Sequence, residues 1–343
     1  MHGSIHLFER LPQVDEAPLA KAGDWAPVSV RSKPLVGLIR NQRSHRNESR
    51  TCRQDERDNV IVRCPRKRSE LPAILADFAA RQVDYIAIDG GDGTVRDVLT
   101  CGAGAFGDSW PELIVLPAGK TNALAYDLGI PADWTLEQAL AAANKGKVVR
   151  RSPLVVSQRD NRRAQVRGFV LGGGAFTRAI ALGQKSHDLG AFNAAVVGLT
   201  TLWSVTQALF GGTSNPWRRG THMALASPEG AQLPHSGGLP RDERYLLFAS
   251  TLRAFPAGLD PFRGISESLQ IAVMDNASRG LLLRLVAIFR GRSSEATKAR
   301  GFHAFGTEAI HLDIGESFIF DGEAFPAGQY SLSAGAKLRF VVP

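Results

Sequence analysis

A glycine-rich run between a predicted strand and a predicted helix has the clearest potential for chemistry. Its residues are Asp89, Gly90, Gly91, Asp92, Gly93 and Thr94. The glycines let the backbone turn sharply and approach a ligand closely, and free N–H groups at the start of a helix bind phosphate oxygens. The Asp92 carboxylate can hold Mg²⁺ through water, because this ion prefers hard oxygen ligands. Thr94 can donate to a phosphate or cap the helix. Ligands of α/β proteins bind at the carboxyl ends of strands, which favours a phosphate site over an ordinary turn.

The elements around this run indicate two domains after a leader. Residues 1–33 show no clean periodicity and are predicted to be a loosely held leader. Strands and helices alternate over residues 34–150, which predicts an α/β domain with a parallel sheet. Short β-like runs separated by turns fill residues 151–343, which predicts an antiparallel, β-sandwich-like domain, with the last residues returning to the first domain.

Composition limits the classes of protein that this chain can be. It has 343 residues, of which 44% are hydrophobic and 22% charged, which excludes a disordered or coiled-coil chain. A formal net charge of +8 suits an anionic partner such as nucleotide phosphate or an acidic membrane surface. Three cysteines without a C-x-x-C spacing predict neither a disulfide scaffold nor a zinc site, and hence the reducing cytosol. No apolar stretch is long enough to predict a transmembrane helix.

A second motif follows the glycine-rich run by about 23 residues and gives the chain a family resemblance. It reads Leu116-Pro117-Ala118-Gly119-Lys120-Thr121-Asn122. The pair of motifs resembles the diacylglycerol kinase catalytic-domain family, which includes sphingosine and ceramide kinases and is distantly similar to NAD kinases and phosphofructokinases. The family pattern is LP-x-G-T-x-N-D-x-A. This chain has Lys120 at the family threonine and Ala123 at the family aspartate, and Thr121 can supply the displaced hydroxyl.

The resemblance implies a nucleotide-binding residue set. The family loop N-P-x-S-G after the first strand is kept here as Asn41 and Ser44. The implied ATP-binding residues are Asn41, Ser44, Gly90, Gly91, Asp92, Gly93, Thr94, Gly119, Lys120, Thr121 and Asn122, with Asp92 also as the Mg²⁺ ligand.

A third family motif lies near the C-terminus. It is Asp321-Gly322-Glu323, after the predicted strand at residues 317–320. D-G-E alone is a common turn, but together with the other motifs the resemblance implies that Glu323 accepts the proton of the acceptor hydroxyl, with Asp321 in support. Such a carboxylate is the base that phosphoryl transfer to an alcohol needs.

The sequence therefore predicts an ATP- and Mg²⁺-dependent lipid kinase, cytoplasmic or peripheral on the inner face of the membrane. Its acceptor is a lipid hydroxyl, as in diacylglycerol, ceramide or a sphingoid base. Residues 281–292, which mix apolar and arginine side chains, fit a membrane interface, although a buried helix with extended arginines fits as well. The uncharged stretch 189–217 is typical of core but can also admit acyl chains. The alternatives are an NAD kinase-like phosphotransferase, a catalytically idle lipid- or nucleotide-binding protein and, least supported, a nucleic-acid binder, since no recognition helix is evident.

Overall fold

A six-stranded mixed sheet forms the N-terminal domain. The computed structural model describes residues 6–14, 31, 33–47, 52, 57–180, 218–236 and 238–343. The strands are β1 (Val36–Arg40), β2 (Val60–Arg63), β3 (Tyr85–Gly90), β4 (Glu112–Pro117), β5 (Val148–Arg151) and the last strand of the chain, β18 (Leu338–Val341). Their order is β2-β1-β3-β4-β18-β5, in which β5 alone runs antiparallel to its neighbour. The chain thus returns at its end to the first sheet.

Helices cover both faces of this sheet. They are α1 (Leu71–Ala80), α2 (Asp92–Phe106), α3 (Ala123–Asp127) and α4 (Leu136–Ala143). Leu75 and Phe78 of α1 recur at helical spacing and are fully buried on one face of the sheet together with Leu99 of α2. Ala139 of α4 packs on the other face. Burial of these apolar stripes holds β3 and β4, and therefore the two motif loops that follow them, in fixed register.

Two six-stranded antiparallel sheets form the C-terminal domain. The strands are β6 (Leu154–Gln158), β7 (Gln165–Gly168), β8 (Val170–Gly174), β9 (Thr221–Ala226), β10 (Glu243–Arg244), β11 (Leu246–Ser250), β12 (Leu269–Met274), β13 (Phe302–Thr307), β14 (Ala309–Ile314), β15 (Phe318–Phe320), β16 (Glu323–Phe325) and β17 (Gly328–Ala334). One sheet has the order β10-β9-β14-β17-β6-β7 and the other β13-β12-β11-β8-β15-β16. A shared core that includes Leu225, Leu247 and Phe318 lies between them. The predicted α/β plus antiparallel fold is confirmed.

Three short helices follow β12 in place of the single helical segment expected at residues 281–292. They are α5 (Arg279–Leu282), α6 (Leu285–Phe289) and α7 (Glu295–Ala299). Leu281 and Ile288 are buried in the core, while Leu283 and Val286 are exposed. The uncharged stretch 189–217 lies outside the described residues. No helix within the described ranges is long and apolar enough to cross a membrane.

Two expectations from the sequence are wrong. Residues 6–14 of the predicted loose leader are held by the C-terminal domain: Leu7 pairs with Ala324, Gln13 pairs with Ala164, and Leu11 is buried. Cys52 and Cys64 form a disulfide, which the odd cysteine count did not predict. Both depend on chain segments that meet only in the folded protein, so local spacing carries no signal for them. Cys101 is free, and burial raises the pKa of its thiol.

Candidate active site

The two motif loops lie side by side at the carboxyl edge of the first sheet. β3 and β4 are parallel neighbours, and Gly90 at the end of β3 stands opposite Pro117 at the end of β4. A Cβ added to Gly91 would lie 2.9 Å from the Cα of Gly119. Glycine is therefore required at both positions, because the loops contact each other backbone to backbone.

Asp92 fastens one loop to the other. Its carboxylate accepts hydrogen bonds from the N–H groups of Ala123 (3.0 Å) and Leu124 (3.2 Å), at the start of α3. Burial raises the pKa of the Asp92 carboxyl, and these N–H donors partly offset the effect. Asn122 adopts a left-handed backbone (φ 50°), and its side chain closes its own loop through both backbone polar atoms of Gly119. Both predicted site residues therefore also build the loops.

The first strand's loop is tied to the glycine-rich run. The side chain of Asn41 donates to the Thr94 hydroxyl at 2.8 Å, and its carbonyl oxygen accepts from the Arg43 N–H at 3.0 Å. The Ser44 N–H donates to the Asn41 carbonyl, and Ser44 is buried. A Cβ on Gly90 would lie 2.5 Å from Thr94, so a side chain at Gly90 would displace this threonine.

The D-G-E motif is a tight hairpin between β15 and β16. Asp321 and Gly322 both have positive φ, 43° and 84°, as a two-residue type I′ turn requires, and Asp-Gly is a preferred pair for it. The Asp321 carboxylate accepts from the N–H groups of Phe169 (3.0 Å) and Val170 (2.9 Å) at the start of β8. Burial, and secondly the charge of Asp92, raise the pKa of Asp321 to about 7. Asp321 thus anchors the turn that places Glu323.

One cleft of about 640 Å³ brings together predicted residues of both domains. Its predicted members are Asn41, Ser44, Gly91, Gly93, Thr94 and Glu323. Its cationic members are Arg43, Arg66, Lys67, Arg68 and Arg96, and His6, Phe8 and Asp97 also line it. Such a density of cations beside a glycine-rich helix start suits a polyphosphate.

A neighbouring cleft of about 540 Å³ contains four further motif residues. Gly119, Lys120, Thr121 and Asn122 line it together with His45, Arg46 and Tyr126. The two clefts adjoin where Gly91 contacts Gly119. Gly90, Asp92 and Asp321 line neither cleft, so the structure brings the predicted set together only in part.

Arg96 is a site residue that the sequence reasoning did not identify. Its side chain is 3% exposed and reaches from α2 to the C-terminal domain, where it donates to the Phe320 carbonyl at 3.3 Å. It also pairs with Asp97 at 3.0 Å. Its charge partly offsets the effect of burial, which raises the pKa of the Glu323 carboxyl. The sequence carries one signal for this residue: it is an arginine in the first two turns of a helix, and the residues around it are largely apolar.

The carboxylates at this junction fit a magnesium ion that arrives with phosphate ligands. In the part of the chain that the structure describes, no group of three or more His, Cys, Asp or Glu side chains could hold a metal by itself. Asp92 and Asp321 repel each other electrostatically, and a cation near Asp92 would relieve this repulsion. Magnesium commonly binds through one or two carboxylates and completes its shell with substrate phosphates and water.

Comparison with known proteins agrees with this geometry. Residues 40–154 match the family model described as the diacylglycerol kinase catalytic domain. Over these residues the chain is similar to a diacylglycerol kinase catalytic domain. That region contains both motif loops and the first-strand loop, so the predicted resemblance is confirmed.

Solved structures extend the likeness beyond residues 40–154 at the level of fold. A crystal structure of a proposed diacylglycerol kinase from Bacillus anthracis superimposes with a TM-score of 0.59 at 16% identity, covering 92% of this chain and 98% of that one. A second Bacillus anthracis structure, of a diacylglycerol kinase, gives 0.57 at 14% identity, covering 92% of this chain and 98% of that one. A search of curated proteins found no significant match. The two-domain architecture is therefore shared.

Proposed function

We propose that this protein is an ATP-dependent lipid kinase that transfers the γ-phosphate to the hydroxyl of a lipid such as diacylglycerol, ceramide or a sphingoid base. The observation that carries the proposal is a single cleft that joins a glycine-rich helix start, several cations and the carboxylate of Glu323. The match of residues 40–154 to the family model of the diacylglycerol kinase catalytic domain supports the proposal. The product is a phosphate monoester of the acceptor lipid.

The N-terminal domain binds the nucleotide. The N–H groups at the start of α2 and the guanidinium groups of Arg43, Arg66 and Arg68 line the cleft and stabilise phosphate oxygens. Asp92 is the group that would hold Mg²⁺, and the ion would neutralise charge on the transferring phosphate. Because Asp92 also accepts two N–H groups of α3, its position is fixed before the nucleotide binds.

Glu323 supplies the base from the C-terminal domain. Its carboxylate lines the cleft, and burial raises its pKa, which moves a carboxylate toward the range in which it accepts a proton efficiently at neutral pH. The charge of Arg96 limits this rise in the pKa of Glu323 and so favours the ionised form, which can accept a proton. The hydroxyl oxygen of the acceptor then attacks the γ-phosphorus, the bond to ADP breaks, and the hydroxyl proton passes to Glu323.

A basic and apolar surface supports peripheral contact with a membrane. Leu283 is 73% exposed and Val286 is 64% exposed, although both are large and apolar. Exposed arginines surround them at positions 279, 284, 290 and 292. Apolar side chains between cations suit the interface of an anionic bilayer, where acyl lipids reside.

One assay tests the proposed function and identifies the acceptor. The protein is incubated with γ-labelled ATP and either NAD or a panel of diacylglycerol, ceramide and sphingosine in mixed micelles. The lipid fraction or the nucleotide product is then separated and counted. We expect label in at least one lipid, and about 10²- to 10⁴-fold slower labelling with a Glu323→Gln variant as the matched control. Label in NAD instead of lipid would establish the NAD kinase-like alternative, and no transfer to any acceptor despite ATP binding would establish an idle binding protein.

A further inference from the structure

The N-terminal segment adds a short strand beside the catalytic hairpin. Residues 6–8, here called the strap, pair in parallel with β16 through Leu7 and Ala324. The Phe8 N–H donates to the Ala324 carbonyl at 2.9 Å, and the Ala324 N–H donates to the His6 carbonyl at 3.1 Å. The strap therefore extends the sheet at the strand that begins with Glu323.

The strap also contacts the cleft directly. The backbone N–H of His6 donates to Glu323 Oε2 at 2.6 Å. The Phe8 ring stacks on Phe325 with a centroid distance of 4.7 Å and an interplanar angle of 3°. Two cleft cations lie over the same ring, with the guanidinium carbons of Arg68 and Arg96 at 5.0 and 5.6 Å from its centroid. Strap, hairpin and cations thus form one packed unit.

We propose that the strap is a positioning element of the active site, in which the His6 N–H fixes one oxygen of Glu323 and leaves Oε1 to receive the acceptor proton. The proposal rests on the proposed function, because it assigns Glu323 the role of base. A carboxylate on an exposed turn samples several rotamers, and a base is effective only within hydrogen-bond reach of its proton. The His6 N–H and the stack of Phe8 on Phe325 select one orientation.

The arrangement carries a second consequence for the electrostatics of Glu323. The His6 N–H stabilises the ionised carboxylate, and the His6 imidazole acts in the same direction when charged. From α2, the Arg96 charge also favours ionisation, whereas Asp97 opposes it. Loss of the N–H alone should therefore raise the pKa of Glu323 while the groups on α2 stay unchanged.

A pair of variants at one position isolates the N–H. His6→Pro removes the backbone donor but keeps the carbonyl that accepts from Ala324, whereas His6→Ala keeps both. Both lack the imidazole, so they differ in the hydrogen bond to Glu323. We expect kcat for lipid phosphorylation to be about 10- to 100-fold lower in His6→Pro than in His6→Ala, with KM for ATP changed less than about twofold. Deletion of residues 1–8, which retains the buried Leu11, should reproduce the fall.

A readout that needs no activity separates this proposal from the proposed function. The carboxyl of Glu323 is titrated by carbon NMR in protein with labelled glutamate, its signal being assigned by its loss in Glu323→Gln. We expect a higher pKa in His6→Pro than in His6→Ala. Equal pKa values would overturn the proposal whether or not the protein phosphorylates a lipid. A rise in kcat on deletion of the strap would also overturn it, since the strap would then be an inhibitory cover.

Discussion

Replacement of Gly168 by alanine should destabilise the protein through the carboxylate of Asp321. A Cβ at Gly168 would lie 1.9 Å from Asp321 Oδ2, a distance that no packing tolerates. The carboxylate must then leave the N–H groups of Phe169 and Val170, which are partly buried where β8 begins. A buried polar group without a partner costs about 1–3 kcal/mol. Two such groups predict a loss of about 2–6 kcal/mol in the free energy of unfolding.

The assay is urea denaturation followed by far-ultraviolet circular dichroism, with Gly280→Ala as the matched control. A Cβ at Gly280 would meet nothing closer than Arg300 at 3.8 Å, and this glycine lies in a helix, so we expect a change within about 1 kcal/mol. Adding Asp321→Gly to Gly168→Ala should cost little more than Asp321→Gly alone, because both changes remove the same two hydrogen bonds. A loss below about 1 kcal/mol for Gly168→Ala alone would refute the role of Asp321 as the anchor of the hairpin.

Three further predictions concern Asp321, Asp92 and the exposed apolar pair Leu283 and Val286. Between about pH 4 and 7, folded Asp321 keeps a proton that the unfolded chain has lost, because burial raises its pKa to about 7. The contribution of Asp321 to the free energy of unfolding therefore falls as pH rises, by up to about 1.4 kcal/mol per pH unit. Urea titrations of Asp321→Asn should lack this slope. Asp92→Asn should nearly abolish phosphoryl transfer. It should also lower the free energy of unfolding by about 1–3 kcal/mol, since the amide accepts only one of the two α3 N–H groups well. Full turnover of this variant at saturating Mg²⁺ would contradict the role of Asp92 in holding the ion. Liposome co-sedimentation should increase with anionic lipid, decrease with salt and weaken in the double variant Leu283→Asp/Val286→Asp, whereas equal binding of the variant would exclude this surface.

The sequence carried the parts of the site that depend on local chemistry. The glycine-rich run could be assigned because Gly90 and Gly91 are needed for a turn between a strand and a helix whatever the rest of the chain does. The D-G-E hairpin could be assigned as a turn for the same reason, since Asp321-Gly322 suits two positive φ angles. The alternation of strands and helices likewise predicted the α/β domain.

The remaining parts depend on contacts between residues that are distant in the chain. Arg96 donates to Phe320, 224 residues away, and the His6 N–H donates to Glu323, 317 residues away. No periodicity or motif in the sequence indicates either contact, because tertiary packing determines which distant residues meet. Asp92 illustrates the limit differently: its motif was identified, but its two hydrogen bonds to α3 follow only from the close approach of Gly91 to Gly119.

The most direct test of the lipid kinase account compares turnover with nucleotide affinity in Glu323→Gln. The change is nearly isosteric and removes the base, while the phosphate-binding groups of the N-terminal domain stay in place. In a lipid phosphorylation assay with γ-labelled ATP, the account predicts a fall in kcat of about 10²- to 10⁴-fold. Calorimetry with a non-hydrolysable ATP analogue should give a Kd within about threefold of the wild type. Wild-type turnover by Glu323→Gln would contradict the account, since Glu323 would then not be the base.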